Sequence, residues 1–353
     1  MMPRSGPRPT LTSNQKALYR SQVMENSSHS VDGNITDIYK PIRAGLDRVQ
    51  HNLEIVCEDN SPFVNTLLRH VLGTCGKGVR PAITLLASRF HKNDGHHAEI
   101  MASAVELLHV ATLIHDDTVD ESLTRRGLPT LSSIWGKDVA VQAGDYVFAS
   151  SGIFMCDAGN IRVLRRFSQT IMELATGQLR ETELAFDPDQ TREDYFERIY
   201  NKTASLFQTA GESGAILSEA PEQIVNALSS YGRNIGLCFQ IIDDVLDLDG
   251  TENEIGKTLG RDLANGVLTL PAILAIEKHP KDNPIRLLCQ DQNNKALLDK
   301  AMNMVQQPEI LRDSYKIARS YLNASLENLT ALQDNPEKQC LIEIAHYAFS
   351  RRL

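Results

Sequence analysis

The sequence predicts an all-α protein, and three observations carry that prediction. Apolar residues recur at three- and four-residue steps through one segment after another. Aromatic residues, which sheets use heavily, make up only 6% of the 353 residues. Convincing runs of strictly alternating apolar and polar residues are few.

Taken in order, the chain opens with residues 1–34, which lack helical periodicity. The first 24 of them contain no Asp or Glu but do contain Arg4, Arg8, Lys16 and Arg20. Two readings stay open, a disordered extension or a transit peptide for a mitochondrion or plastid. Pro3, Pro7 and Pro9 favour the first. Residues 35–353 read as one helical domain. Ile42, Leu46, Val49 and Leu53 form one apolar stripe, and Ile100, Ala104, Leu107, Leu108, Ala111 and Ile114 form another. Ile224 to Leu228 begins a third, and Ile235 to Leu246 continues it after an expected break at Tyr231-Gly232. Other breaks carry ordinary helix-stop residues: Asn60-Ser61-Pro62, Asn93-Asp94-Gly95, Asp187-Pro188-Asp189, Asp249-Gly250 and His279-Pro280-Lys281.

Hydrophobic residues at 42% and charged residues at 23% fit a soluble globular protein. The net charge of -9 argues against a nucleic-acid binder. Six scattered cysteines form no CxxC pair. Free thiols in a reducing compartment are expected, hence a cytoplasmic location. No run approaches the ~18 uninterrupted apolar residues of a membrane span.

One feature occurs twice. LIHDDTVDESLTRRG and FQIIDDVLDLDG each end an apolar run in DDxxD, as Asp116, Asp117, Asp120 and as Asp243, Asp244, Asp247. At ~100° per residue, each trio spans an arc of only ~100° on a helix. Like charges so close repel unless cations sit among them. Carboxylate oxygens are the ligands Mg²⁺ takes, and Mg²⁺ commonly binds substrate phosphates as well. A single cluster is equally well a solvated helix end. Two clusters, each following a buried-type run, point to a shared metal and diphosphate.

A diphosphate also needs protein cations. Lys77 and Arg80 in GKGVRP are candidates, although a turn with two surface charges reads the same way. His109 falls within ~20° of Asp116 on a helix, where a satisfied core histidine is the competing reading. Arg125 and Arg126 follow the first cluster as counter-ions or phosphate ligands. Lys202 and Thr203 interrupt an apolar helix, Gln240 precedes the second cluster, and Lys257 follows it. Arg261 and Asp262 read as a surface pair, and His115 as structural. His91, His96 and His97 lack zinc spacing and read as an exposed loop.

At this point the chain resembles the trans-isoprenyl diphosphate synthases, in particular the long-chain octaprenyl or solanesyl type. The likeness rests on GKGVRP, HVATLIHDDTVDESLTRRG, GDYVF, IYNKTASLF, FQIIDDVLD, GKTLGRDLANGVLTLP and LIEIAHYAFSRR, and it covers everything after residue 34. It implies a helical bundle around a central cavity, usually homodimeric, with Mg²⁺ held between facing acidic clusters. It implies that Lys77, Arg80, His109 and Arg126 bind isopentenyl diphosphate. Arg125, Lys202, Thr203, Gln240 and Lys257 would serve the allylic diphosphate, farnesyl or geranylgeranyl, with Lys202 also catalytic. One departure is Val267 after Gly266, where members often carry lysine. In the family, small residues four and five before the first cluster leave room for a long product. Here they are Thr112 and Ala111, so a C35–C50 chain is expected, for a quinone side chain. Such a product calls for peripheral membrane contact. The alternatives are a short-chain farnesyl or geranylgeranyl synthase, or one subunit of a heteromeric synthase.

Overall fold

The computed structural model describes residues 35–58, 61–73, 76–91, 95–249 and 260–350. Residues 35–353 form one compact unit. The helices longer than five residues are α1 (Arg43–Val56), α2 (Pro62–Leu72), α3 (Val79–Ala87), α4 (His96–Val119), α5 (Lys137–Asp157) and α6 (Ile161–Glu183). They continue with α7 (Arg192–Ile199), α8 (Ser205–Leu217), α9 (Glu222–Asp249) and α10 (Leu270–Lys278). The last four are α11 (Pro284–Gln290), α12 (Lys295–Val305), α13 (Pro308–Asn328) and α14 (Pro336–Ser350). The all-α expectation holds. Among the described residues the strands are one two-stranded hairpin, Thr124–Arg125 with Leu128–Pro129.

Several helix starts follow directly from sequence. Ser61 caps α2 by accepting from the Val64 amide, and Asn160 caps α6 by accepting from Arg162 and Val163. Thr191 and Asp194 form a reciprocal capping box on α7. Each such cap contributes about 1 kcal/mol.

The centre of the bundle is α4. Every residue from Met101 to Leu108 is buried, because α1, α3, α5 and α8 all pack against this helix. A helix enclosed in this way is largely apolar all round, with Ser103 and Glu106 as the buried polar exceptions in that stretch. Among the described residues two helices, α4 and α5, are long and apolar enough to cross a membrane by length and composition alone. The first is enclosed by its neighbours. The second carries exposed Val141, Phe148 and Ile153.

The expected break at Tyr231-Gly232 is absent, since α9 runs unbroken through both residues. Gly232 is there for packing: a Cβ at this position would stand 2.3 Å from the Phe207 carbonyl oxygen of α8. The glycine lets two backbones approach, and the helix continues across it. His96 and His97 also depart from expectation, since they open α4 instead of lying in a loop. They are exposed, and His91 spends Nδ1 on the Ser218 carbonyl oxygen at 2.7 Å.

Candidate active site

The first acidic cluster closes the C-terminal end of α4. Beyond it the chain turns back through the hairpin, in which Thr124 pairs with Pro129 and Arg125 with Leu128. The two turn residues, Arg126 and Gly127, have φ of 52° and 78°, as a type I′ turn requires. That reversal returns Arg125 to the helix it has just left. Its Nε donates to Asp117 Oδ2 at 2.6 Å. Asp117 is buried, and its Oδ1 has no hydrogen-bond partner.

Asp116 faces a different group. Burial pushes its carboxyl up to about 6, with Asp120 and Glu181 adding to the rise and Lys202 opposing it. Lys202 donates to Glu181 Oε1 at 2.5 Å. Burial pulls its ammonium down, but Glu181, Asp116 and Asp120 together hold it above its ordinary value. Asp116, Asp120, Glu181 and Lys202 therefore form one electrostatic cluster.

Lys202 and Thr203 sit in a π-helical turn, Tyr200–Ala204, inserted between α7 and α8. Such turns occur frequently at functional sites. Two glycines make room for it. A Cβ on Gly177 of α6 would lie 2.5 Å from the Lys202 amide nitrogen, and one on Gly236 of α9 2.5 Å from the Ala204 Cα. The wide turn directs Lys202 to α6 and α4 while Thr203 donates to Gln240 Oε1 of α9 at 2.7 Å.

The second cluster lies on α9. Asp243 is exposed, Asp247 half-buried and Asp244 buried. Tyr195 donates to Asp244 Oδ2 at 2.6 Å, and Gln240 Nε2 to Oδ1 at 2.8 Å. Burial pushes Asp244 up to about 7, although both hydrogen bonds pull the other way. Beyond α9, a short helical turn, Arg261–Ala264, folds back on the cluster, and the Gly260 amide donates to the Asp247 carbonyl at 3.0 Å.

This turn corrects the reading of Arg261 and Asp262 as a surface pair. Asp262 is raised well above the usual carboxylate range by burial and by Asp247, Asp244 and Glu181. Arg261 reaches the other way, donating to the Asp120 carbonyl at 3.0 Å and to Ser122 Oγ at 3.1 Å. The two adjacent residues thus bridge from the second cluster to the end of the first. Adjacency in the sequence hid this, because only the fold shows that they diverge.

A second cationic seat lies beside the first cluster. Lys77 precedes α3, and its ammonium donates to the Tyr347 hydroxyl of α14 at 2.5 Å. Arg80 lies in the first turn of α3, its guanidinium 4.3 Å from the Phe207 ring centroid and 3.1 Å from His109 Nε2. A guanidinium has no acceptor, so Nε2 must accept and the proton must sit on Nδ1. Burial, then Arg80, Arg126 and Arg125, hold His109 well below its ordinary pKa, so the ring is neutral. Arg126 packs against the Gly76 backbone, where a Cβ would meet its guanidinium at 2.6 Å. Gly76, His109, Arg125 and Arg126 line one cavity together with Asp117 and Glu106.

Of the residues singled out in sequence, Arg80, His109 and Arg126 thus gather in one seat with Arg125 and Asp117, while Lys77, next to Gly76 in the chain, is held by Tyr347. Asp116, Asp120, Asp243, Asp244, Asp247, Lys202, Thr203 and Gln240 surround the other. Lys257 lies outside the described residues. His115 contacts Asp145 at 3.4 Å on α5, in keeping with a structural role. Glu106, Glu181, Tyr195 and Asp262 complete the site without having been read as site residues. For Glu106 a signal exists, since it precedes His109 by three and so shares its helix face.

The carboxylates offer hard oxygen donors of the kind Mg²⁺ takes. Among the described residues, no three His, Cys, Asp or Glu side chains converge into a closed metal cage. The orphaned Asp117 oxygen and the crowding of Asp244, Asp247 and Asp262 fit cations whose shells a diphosphate completes.

The polyprenyl synthetase family profile matches residues 61–305. Solanesyl-diphosphate synthase 2 of Oryza sativa is 32% identical over 90% of this chain and 80% of its own. Component 2 of the heptaprenyl diphosphate synthase of Bacillus subtilis is 31% identical over 89% of this chain and 90% of its own. A polyprenyl synthase of Caulobacter crescentus, crystallised with calcium and isoprenyl diphosphate, superposes with a TM-score of 0.85 at 29% identity. It covers 91% of this chain and 99% of that one. With both acidic clusters and both cationic seats in place, the chain belongs to the polyprenyl synthetase family.

Proposed function

We propose that this prenyltransferase condenses isopentenyl diphosphate repeatedly onto farnesyl or geranylgeranyl diphosphate, with Mg²⁺, to give an all-trans chain of C35–C50. One observation carries the reading: Lys202 interacts with Asp116 and Asp120 of the first cluster and with Asp262, which faces Asp244 and Asp247 of the second, and a separate cationic seat lies beside the first cluster. Two seats fit two diphosphates.

In this reading Asp116, Asp120, Asp243, Asp244, Asp247 and Asp262 hold Mg²⁺. Asp117 commits one oxygen to Arg125 and offers a cation the other, which has no hydrogen-bond partner. Bound Mg²⁺ supplies charge neutralisation at the allylic diphosphate. Lys202 and Arg125 add positive charge where the leaving diphosphate gains negative charge, which favours ionisation of the allylic C–O bond. Lys77, Arg80, Arg126 and the Nδ1–H of His109 hold isopentenyl diphosphate so that its double bond attacks the cation, after which the new carbocation loses a proton to the departing diphosphate. Water has to be excluded from that cation.

Long-chain relatives and the small Ala111 and Thr112 support a long product. Exposed Val141, Phe148 and Ile153 of α5 with Met172 and Leu179 of α6 support a homodimer, since monomers rarely leave so much apolar surface open. The likeness to component 2 of a heptaprenyl synthase supports a second reading, in which a further polypeptide completes the enzyme. Both clusters lie in this chain, so the chemistry is its own in either case.

Separate seats predict separate kinetic effects. Arg126→Gln should raise KM for isopentenyl diphosphate about tenfold or more while leaving KM for the allylic substrate near wild type. Lys202→Gln should do the reverse. Initial-rate kinetics with each substrate varied in turn checks this. Equal effects on both substrates contradict the two-seat assignment.

A further inference from the structure

We propose that Tyr195 is a positioning residue for the second acidic cluster, its hydroxyl setting the plane in which the Asp244 carboxylate meets metal and diphosphate. This rests on the reading of Asp244 as a metal ligand.

A carboxylate turns freely about its last torsion, which has broad minima. Asp244 is held from both sides instead. Tyr195 donates to Oδ2 at 2.6 Å and Gln240 to Oδ1 at 2.8 Å, while the Gln240 oxygen accepts from Thr203 at 2.7 Å. The chain Thr203–Gln240–Asp244–Tyr195 runs from the π turn through α9 to α7. An ionised carboxylate has about four acceptor sites. Two are taken, leaving one on each oxygen in a fixed plane.

Tyr195 is 0% exposed, so its hydroxyl requires a partner inside the protein. Phenylalanine would fill the same volume, and packing alone therefore does not account for the hydroxyl. Beneath it lies Arg198, 2% exposed, with its guanidinium 5.6 Å from the Tyr195 ring centroid. Its hydrogen bonds among the described residues go to neutral acceptors, the Leu268 carbonyl at 2.9 Å and Gln190 Oε1 at 3.4 Å. Its charge acts on both Asp194 and Asp244. Burial opposes ionisation of Asp244, whereas Tyr195, Gln240 and Arg198 favour it and Asp243 disfavours it. Ligating carboxylates are commonly oriented by such outer hydrogen bonds, whose loss weakens metal binding about 10–100-fold.

The test uses the full chain with Tyr195→Phe, and Asp244→Ala as reference. Mn²⁺ affinity in the presence of inorganic diphosphate is read by paramagnetic resonance, alongside thermal unfolding and both KM values. Tyr195→Phe should fold as wild type, weaken Mn²⁺ about tenfold, raise the allylic KM and leave the isopentenyl KM unchanged. Asp244→Ala should weaken Mn²⁺ at least as much. Wild-type Mn²⁺ affinity in Tyr195→Phe, with Asp244→Ala weakened, overturns the positioning role. Wild-type affinity in Asp244→Ala overturns the metal reading itself. If Tyr195→Phe unfolds instead, Gln240→Leu tests the same orientation from the other oxygen, and unchanged Mn²⁺ affinity there also overturns the proposal.

Discussion

Burial lifts Asp116 to about 6 and Asp244 to about 7, so near neutrality a proton competes with a cation for their oxygens. Metal binding requires the ionised form. Mn²⁺ affinity, measured alone so that no diphosphate titrates, should rise about tenfold per pH unit between pH 6 and 7 and level off above pH 8. A flat profile contradicts the assignment. The sign for stability is opposite. A carboxyl raised on folding binds its proton more tightly in the folded chain, so without a cation stability falls as pH climbs through 7. Chain length rests on two smaller residues. Ala111 packs among Leu107, Ile114, Ala143 and Val147, whereas Thr112 is half-buried one turn below Asp116. Thr112→Phe should shorten the product by several isoprene units, seen by chromatography of the dephosphorylated chains, and wild-type length contradicts the account. Ala111→Phe should shorten it too, at a stability cost of about 1–3 kcal/mol from overpacking. The aspartates are legible in the sequence because three share one helix face, twice. Glu181 and Tyr195 are not, because tertiary packing alone brings them to the site from helices of ordinary pattern.

The π turn is the element whose form matters most, and IYNKTASLF gives no sign of it beyond the polar Asn201-Lys202-Thr203 between apolar residues. Its shape depends on contacts made elsewhere. Gly177 and Gly236 leave space on either side, and Tyr200 donates to Gln208 Oε1 at 3.0 Å beneath it. Gly177→Ala forces a methyl into the Lys202 backbone. The variant should lose about 1–3 kcal/mol of stability and bind the allylic substrate several-fold more weakly, with isopentenyl diphosphate unaffected. Thermal unfolding and substrate kinetics check both, and unchanged values for both contradict the role given to this close contact. The same physics explains the misplaced break in α9. A glycine in a helix signals a stop when read locally, but Gly232 is a point of close contact with α8. The hairpin after the first cluster escaped notice for a related reason. Each of its strands is two residues long, too short to show alternation, and its turn uses Arg126 at positive φ beside Gly127.

At the scale of the whole molecule the all-α class is legible because periodicity survives in nearly every segment, and a largely apolar central helix announces a bundle. What the sequence leaves open is how the ends of α4 and α9 come to face one another. That depends on α8, which packs against both, and on the Arg261–Ala264 turn that spans the gap. The facing clusters, the adjoining cationic seat and the small residues below Asp116 combine into one claim, that this chain alone builds a long prenyl chain. The direct test incubates the purified chain with farnesyl diphosphate, isopentenyl diphosphate and Mg²⁺, then separates the dephosphorylated products by chromatography. A dominant product of C35–C50 is predicted. Products ending at C20 or below, or no extension without a second polypeptide, contradict it.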